Sequence, residues 1–183
     1  WVALYEDDPD LNYRYRDAPS SSTNETNTNN NNTTTNNNTN TNNNESSKTI
    51  ASCPPIDAIR TLVQDLYHTQ TGRSVSFNTC LANFYETGQN RIGWHTDREE
   101  LGRTTPIASV SLGATRSFLL RHKLHGTTDR ASVEMENGSV VFMENLCQEE
   151  YLHSVPKQPE VMGGRINLTF RCKTAHTAGE EEH

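Results

Sequence analysis

From Ser20 to Ser47 the chain is almost wholly Asn, Thr and Ser. Such a tract cannot bury enough apolar surface to offset the entropy of ordering it, so it is barred from any core. It is expected to be a disordered insertion, and the fold must be assembled from what lies on either side. The folding unit is then mainly 50–174, with a short piece at 1–19. The tract also accounts for a hydrophobic fraction of 32%, low for a 183-residue chain that is long enough for one sizeable core. The organisation expected is a single domain over 1–183, with 20–47 as the insertion and 175–183 as a flexible acidic tail.

The net charge of -7 follows the same partition. Residues 1–49 carry seven acidic and three basic groups, 50–175 carry thirteen of each, and the tail adds Glu180, Glu181 and Glu182. The core is balanced, which excludes a broad basic footprint but leaves room for a local basic strip. The four cysteines, Cys53, Cys80, Cys147 and Cys172, lack the short paired spacings of zinc sites and small disulfide frameworks, so reduced thiols in an intracellular protein are expected. No run approaches the roughly 20 apolar residues of a membrane span, and Trp1–Asp10 is acidic and unlike a secretion signal.

Periodicity divides the rest. Pro54 and Pro55 precede Ile56, Ile59, Leu62, Val63, Leu66 and Tyr67 at helical spacing, and Gly72 ends the pattern, which predicts a helix over 56–72. Beyond it come short alternating segments punctuated by Gly, Asn, Asp and Pro. They predict strands at 80–86, 91–96, 107–112, 117–122, 132–135, 139–143, 151–155 and 164–172. This set predicts a mainly β protein with a flanking helix, a jelly roll (double-stranded β-helix) of the cupin kind.

In the last strand, Ile166, Leu168 and Phe170 face one way and Arg165, Asn167, Thr169 and Arg171 the other. If the apolar side meets the helix, two arginines point into the barrel, where each is costly unless an anion meets it. The bland alternative is a solvated strand face. Trp94-His95-Thr96-Asp97 sets an imidazole and a carboxylate two residues apart, and His153 opens His153-Ser-Val-Pro156. Two histidines and one carboxylate make the facial triad typical of non-haem iron(II) oxygenases, which leaves positions for a bidentate co-substrate and dioxygen (O2). Arg165, twelve residues after His153, is the candidate partner for that co-substrate's far carboxylate. Asn83 and Tyr85 share a strand face and can hydrogen-bond the same acid, or be an ordinary strand with a buried tyrosine that finds its own partner.

These motifs resemble the AlkB-type DNA and RNA dealkylating dioxygenases, most closely the eukaryotic members that act on alkylated DNA. The resemblance runs from about Tyr5 to Lys173 with the Asn tract cut out. It rests on Asn83-x-Tyr85, His95-x-Asp97, Pro106-Ile-Ala-Ser-Val-Ser-Leu-Gly113, Arg121-His-Lys123, His153-Ser-Val-Pro156 and Arg165-x-Asn167-x-Thr-Phe-Arg171. It implies a catalytic domain in which His95, Asp97 and His153 hold iron(II). Asn83, Tyr85, Arg165, Asn167 and Arg171 would hold 2-oxoglutarate, with Arg165 on the distal carboxylate and Arg171 near the metal-chelating end. Tyr13 and Tyr15, in Asp10-Leu-Asn-Tyr-Arg-Tyr15, match the segment lining the base pocket. Glu99 matches an acidic position that contacts the base, or is a solvated loop glutamate. The implied reaction is oxidative demethylation of alkylated DNA, or RNA, by a nuclear, monomeric enzyme with no membrane association. Three features depart from the family: the inserted tract, a start at Trp1 that reads as a fragment without the upstream lid, and Lys157-Gln-Pro-Glu160 where a basic run is usual.

Overall fold

The computed structural model describes residues 2–7, 48–97, 106–126, 128–144 and 146–173. The alternating segments pair into two antiparallel sheets. β1 (Val2–Glu6), β2 (Thr79–Tyr85), β4 (Ile107–Gly113), β7 (Val140–Met143) and β9 (Arg165–Arg171) form a five-stranded sheet in the order β1-β2-β9-β4-β7. β3 (Ile92–His95), β5 (Arg116–His122), β6 (Arg130–Met135) and β8 (Tyr151–Val155) form a four-stranded sheet in the order β3-β8-β5-β6. All eight strands expected from alternation are present. The fold is the mainly β double-stranded helix with a flanking α-helix that the sequence predicts.

Two cores follow from the period-2 pattern. On one face of the larger sheet, Cys80, Ala82, Ala108, Val110, Leu168 and Phe170 pack with Ile56 and Val63 of α1 (Pro54–Thr71). On its other face, Tyr85, Ile107 and Met143 meet Phe118, Met135 and Val155 of the smaller sheet. The polar row of β9 therefore faces the space between the sheets, because its apolar partners are taken by the helix.

α1 begins with Pro54 and Pro55 in its first turn, where a missing N–H costs nothing, and ends at Gly72 with φ 70°, a left-handed position that glycine adopts without strain. Its buried stripe is narrower than periodicity suggests. Ile56, Val63 and Tyr67 are buried, but Leu62 and Leu66 are exposed, because one flat sheet covers only one line of side chains.

Two elements lie outside the sequence expectation. β1 adds to the edge of the larger sheet by pairing with β2, Val2 opposite Asn83 through Glu6 opposite Thr79. A four-residue helix, α2 (Cys147–Glu150), leads directly into β8. Among the described residues no helix is long and apolar enough to cross a membrane.

Candidate active site

The two strands that carry histidine are neighbours in the smaller sheet. β3 and β8 pair with Ile92 opposite Val155 and His95 opposite His153, so β3 spends one residue more than β8 between the two pairs. This irregularity changes which way His95 points. Strict alternation from Ile92, which packs inward, would put His95 on the outer face. The extra residue brings His95 inward and leaves Trp94 outside, where its ring stacks on Arg121 at 4.4 Å.

As a result His95 and His153 lie ring to ring at 4.3 Å, and the Nε2 atoms of the two rings are 3.7 and 3.8 Å from Oδ1 of Asp97. One donor atom from each residue fits within 4.8 Å of the other two. The His95 Nδ1–H is donated to the Gly93 carbonyl at 2.8 Å. A carbonyl only accepts, so Nδ1 carries a proton, and Nε2 is the ring atom turned toward Asp97 and a metal. Burial pushes the His153 imidazole down to about 4, against the attraction of Asp97, so this ring is neutral near pH 7. Burial raises the Asp97 carboxyl, but Arg171, then His153 and His95, outweigh it and the net shift is downward. Two imidazoles and one carboxylate are the donor set that suits non-haem iron(II).

Above this cluster runs the polar face of β9. Arg171 sits beside Asp97, with Nη2 2.9 Å from Oδ2. Asn167 donates to Thr169 Oγ1 at 2.8 Å and accepts from Ser109 Oγ at 2.9 Å and Arg165 Nη2 at 2.7 Å. Arg165 Nη2 also donates to Ser111 Oγ at 2.7 Å. The Arg165 guanidinium is 5.1 Å from the centre of the Tyr85 ring. Burial lowers the Arg165 pKa, with Tyr85 opposing and Arg116 assisting. Its Nη1 is buried and has no hydrogen-bond acceptor among the described residues. A buried guanidinium N–H without an acceptor costs the full desolvation of that group, and a carboxylate ligand removes such a cost. Asn83 and Tyr85 lie directly opposite Asn167 and Arg165 in the ladder, so they share this wall. The residues present thus fit both iron(II) and a dicarboxylate.

Of the residues predicted for the site, the structure brings together His95, Asp97, His153, Asn83, Tyr85, Arg165, Asn167 and Arg171. Tyr13, Tyr15 and Glu99 lie outside the described residues. Sequence reasoning missed Ser109 and Ser111, which stand opposite Thr169 and Asn167 on β4. The signal was available: two serines at alternate positions in an otherwise apolar strand. It also missed Arg116, which is buried without a carboxylate partner among the described residues. Arg116 donates to Gln158 Oε1 at 3.1 Å and to the carbonyls of Thr87, Asn90 and Pro156 at 3.3, 2.9 and 2.5 Å. Those acceptors lie on the two connections that follow Tyr85 and precede Arg165. Gly88 lets the connections touch, since a Cβ there would fall 1.7 Å from the Gln158 carbonyl oxygen.

Comparison with known proteins agrees with this geometry. The chain is 37% identical over 133 residues to the DNA oxidative demethylase ALKBH2 of Bos taurus, covering 69% of this chain and 47% of that protein. It is 38% identical over 125 residues to the human ALKBH2, covering 64% and 46%. It is 34% identical over 131 residues to the alpha-ketoglutarate-dependent dioxygenase alkB homolog 3 of Bos taurus, covering 67% and 45%. The chain spans about half the length of the curated relatives it matches. The solved structure of OsALKBH1 superposes with a TM-score of 0.52 at 23% identity, over 63% of this chain and 65% of that one, which bears on the fold alone. The model of the 2OG-Fe(II) oxygenase superfamily matches residues 3–171, from β1 to the last residue of β9. Every described residue of the site falls inside that match, and the chain belongs to the 2OG-Fe(II) oxygenase superfamily.

Proposed function

We propose that this chain carries out oxidative demethylation of N-alkylated nucleobases in DNA, such as 1-methyladenine and 3-methylcytosine, releasing formaldehyde, succinate and CO2. The observation that carries the reading is the buried Arg165 Nη1, which has no acceptor among the described residues, on the same strand face as Arg171, which reaches the His95–Asp97–His153 cluster. An anion cradle and a metal donor set on one wall suit an acid that binds both. The names of the relatives, DNA oxidative demethylases among them, support a nucleobase as the second substrate.

In this reading His95, Asp97 and His153 hold iron(II). Arg165 takes the distal carboxylate of 2-oxoglutarate, while Asn83, Tyr85 and Asn167 line the acid and Arg171 lies at its metal-chelating end. Iron(II) and 2-oxoglutarate together supply activation of dioxygen, with the acid decarboxylated to succinate and one oxygen atom delivered to an N-methyl C–H bond. The chain's own part is orientation and charge. The Gly93 carbonyl holds His95 through Nδ1 so that Nε2 faces the metal position, burial keeps His153 neutral, and Arg171 favours the ionised form of Asp97. Ser111 and Asn167 hold the Arg165 fork from one side so that Nη1 is presented to the acid. The hydroxymethylated base then loses formaldehyde as the N–C bond breaks and its electron pair returns to the ring nitrogen. Tyr13 and Tyr15 are proposed to stack on the extruded base and Glu99 to contact its edge, with part of the unstacking cost offset by that stacking. The same reading makes 1–183 one catalytic domain that acts as a monomer in the nucleus.

The test is mass spectrometry of oligonucleotides carrying 1-methyladenine, as single-stranded DNA, duplex DNA and RNA, incubated with the protein, iron(II), ascorbate and 2-oxoglutarate. Methyl loss from DNA with matching succinate is expected. Methyl loss confined to RNA makes the chain an RNA demethylase. No succinate with any substrate leaves a silent nucleic-acid-binding module.

A further inference from the structure

We propose that Gln148 is a positioning residue that fixes the metal-binding carboxylate of Asp97 through its main chain, an inference that rests on reading His95, Asp97 and His153 as metal ligands. The β3–β8 ladder has its last pair at His95 and His153, so Asp97 lies two residues beyond the last ladder-held residue. Its side chain is tied by Arg171, but an ion pair to one carboxylate oxygen leaves the backbone free to swing about it. The Asp97 N–H is donated to Gln148 Oε1 at 2.9 Å. That bond does for Asp97 what the ladder does for His95.

The orientation of the Gln148 amide is settled by its other end. Nε2 lies 3.3 Å from Met143 Sδ, and a thioether sulfur accepts but never donates, so the NH2 faces sulfur and the carbonyl faces Asp97. Gln148 is itself held. It is buried on α2, five residues before His153, and its own carbonyl accepts Lys123 Nζ at 2.9 Å. Strand β5, which Lys123 follows, pairs with β8 through Leu120 opposite His153. One glutamine therefore ties the segment carrying Asp97 to the segment that delivers His153, and fixes two of the three donors relative to each other. Partners that orient metal ligands commonly change metal affinity 10–100-fold, by roughly that factor, when removed.

The experiment is Mn(II) binding to the full chain without dioxygen or nucleic acid, followed by the electron paramagnetic resonance signal of free Mn(II). Gln148→Leu removes the acceptor at similar volume, and is expected to weaken Mn(II) roughly 10–100-fold. Gln148→Glu keeps an acceptor oxygen for the Asp97 N–H and should recover most of that loss. Met143→Leu takes only the sulfur and should stay within about two-fold of wild type. At saturating Mn(II), 2-oxoglutarate affinity of Gln148→Leu should return to the wild-type value, whereas general damage to the fold would lower both. If Gln148→Leu does not fold, Gln148→Asn, one methylene too short to reach Asp97, should show the same weakening. A wild-type chain that binds no Mn(II) overturns the metal-site reading and this proposal with it. Wild-type binding matched by the Leu or Asn variant overturns this proposal alone.

Discussion

Arg171 and Asp97 share a buried ion pair of 2.9 Å in which the guanidinium takes Oδ2 and leaves Oδ1 to the two histidines. The two oxygens of one carboxylate thus have separate tasks. Arg171→Met should therefore act twice. Without the guanidinium, burial raises the Asp97 carboxyl unopposed by its strongest partner, and the metal-free protein loses about 3–5 kcal/mol, the usual cost of orphaning one member of a buried pair. Mn(II) affinity should fall as well, because protons then compete more strongly with the metal for the carboxylate. Urea unfolding at pH 7 checks the first effect, and a loss under about 1 kcal/mol would mean the pair contributes as a surface pair does.

His153 gives the metal-free protein a defined acid limit. Its imidazole is pushed down to about 4 in the folded chain, burial being the main cause, while the unfolded chain titrates near 6.5. Between those values the unfolded state binds more protons, so stability rises with pH across that window. It is present in full above 6.5 and lost as pH falls toward 4, by about 3 kcal/mol in all. Urea midpoints of chelator-treated protein from pH 4 to 7 should show this slope, and His153→Gln should flatten it. An unchanged slope in the variant would assign the titration elsewhere.

Arg165 should separate co-substrate from metal. Replacing it by Ala removes the only guanidinium fork proposed for the far carboxylate but touches no donor atom. The 2-oxoglutarate requirement should rise roughly 10–100-fold, the equivalent of one or two charge-assisted hydrogen bonds. Mn(II) affinity should hold within about two-fold, since the triad is untouched. Succinate release against 2-oxoglutarate concentration measures the first, and an unchanged requirement would move the carboxylate's partner to another residue.

The parts of this molecule legible in its sequence are those that depend on periodicity. The strand face carrying Arg165, Asn167 and Arg171 follows from alternation once the helix claims Leu168 and Phe170, and all eight expected strands appear. What alternation hides is any place where it fails. The extra residue in β3 reverses the side of His95 relative to Ile92, and nothing in Ile92-Gly-Trp-His95 marks it. Gln148 sits among Cys147, Glu149 and Glu150 as an unremarked polar residue, because its importance comes from a contact 51 positions away in sequence. β1 was masked by its acidic surroundings, since an edge strand needs only one partner and one buried residue, here Ala3.

The segment between β1 and α1 makes the last prediction. Glu6 N–H is donated to the Lys48 carbonyl at 3.0 Å, and Ile50 N–H to Asp7 Oδ1 at 3.2 Å. Arg60 of α1 pairs with Asp7 as well. The described residues on either side of 8–47 are therefore bonded to each other, and chain that leaves and returns at one point can be shortened without moving its anchors. For the disordered insertion expected from the sequence, closure entropy varies only with the logarithm of its length, so cutting it by more than half should change stability by less than about 1 kcal/mol, in the favourable direction. Deleting 22–46 keeps Tyr13 and Tyr15, and should leave the melting temperature and Mn(II) affinity at or slightly above the full-length values. The proposed demethylation should be retained for the same reason. A variant that unfolds, or that keeps Mn(II) but loses the methylated oligonucleotide, would show that the Asn-rich tract belongs to the fold or to the base-binding wall.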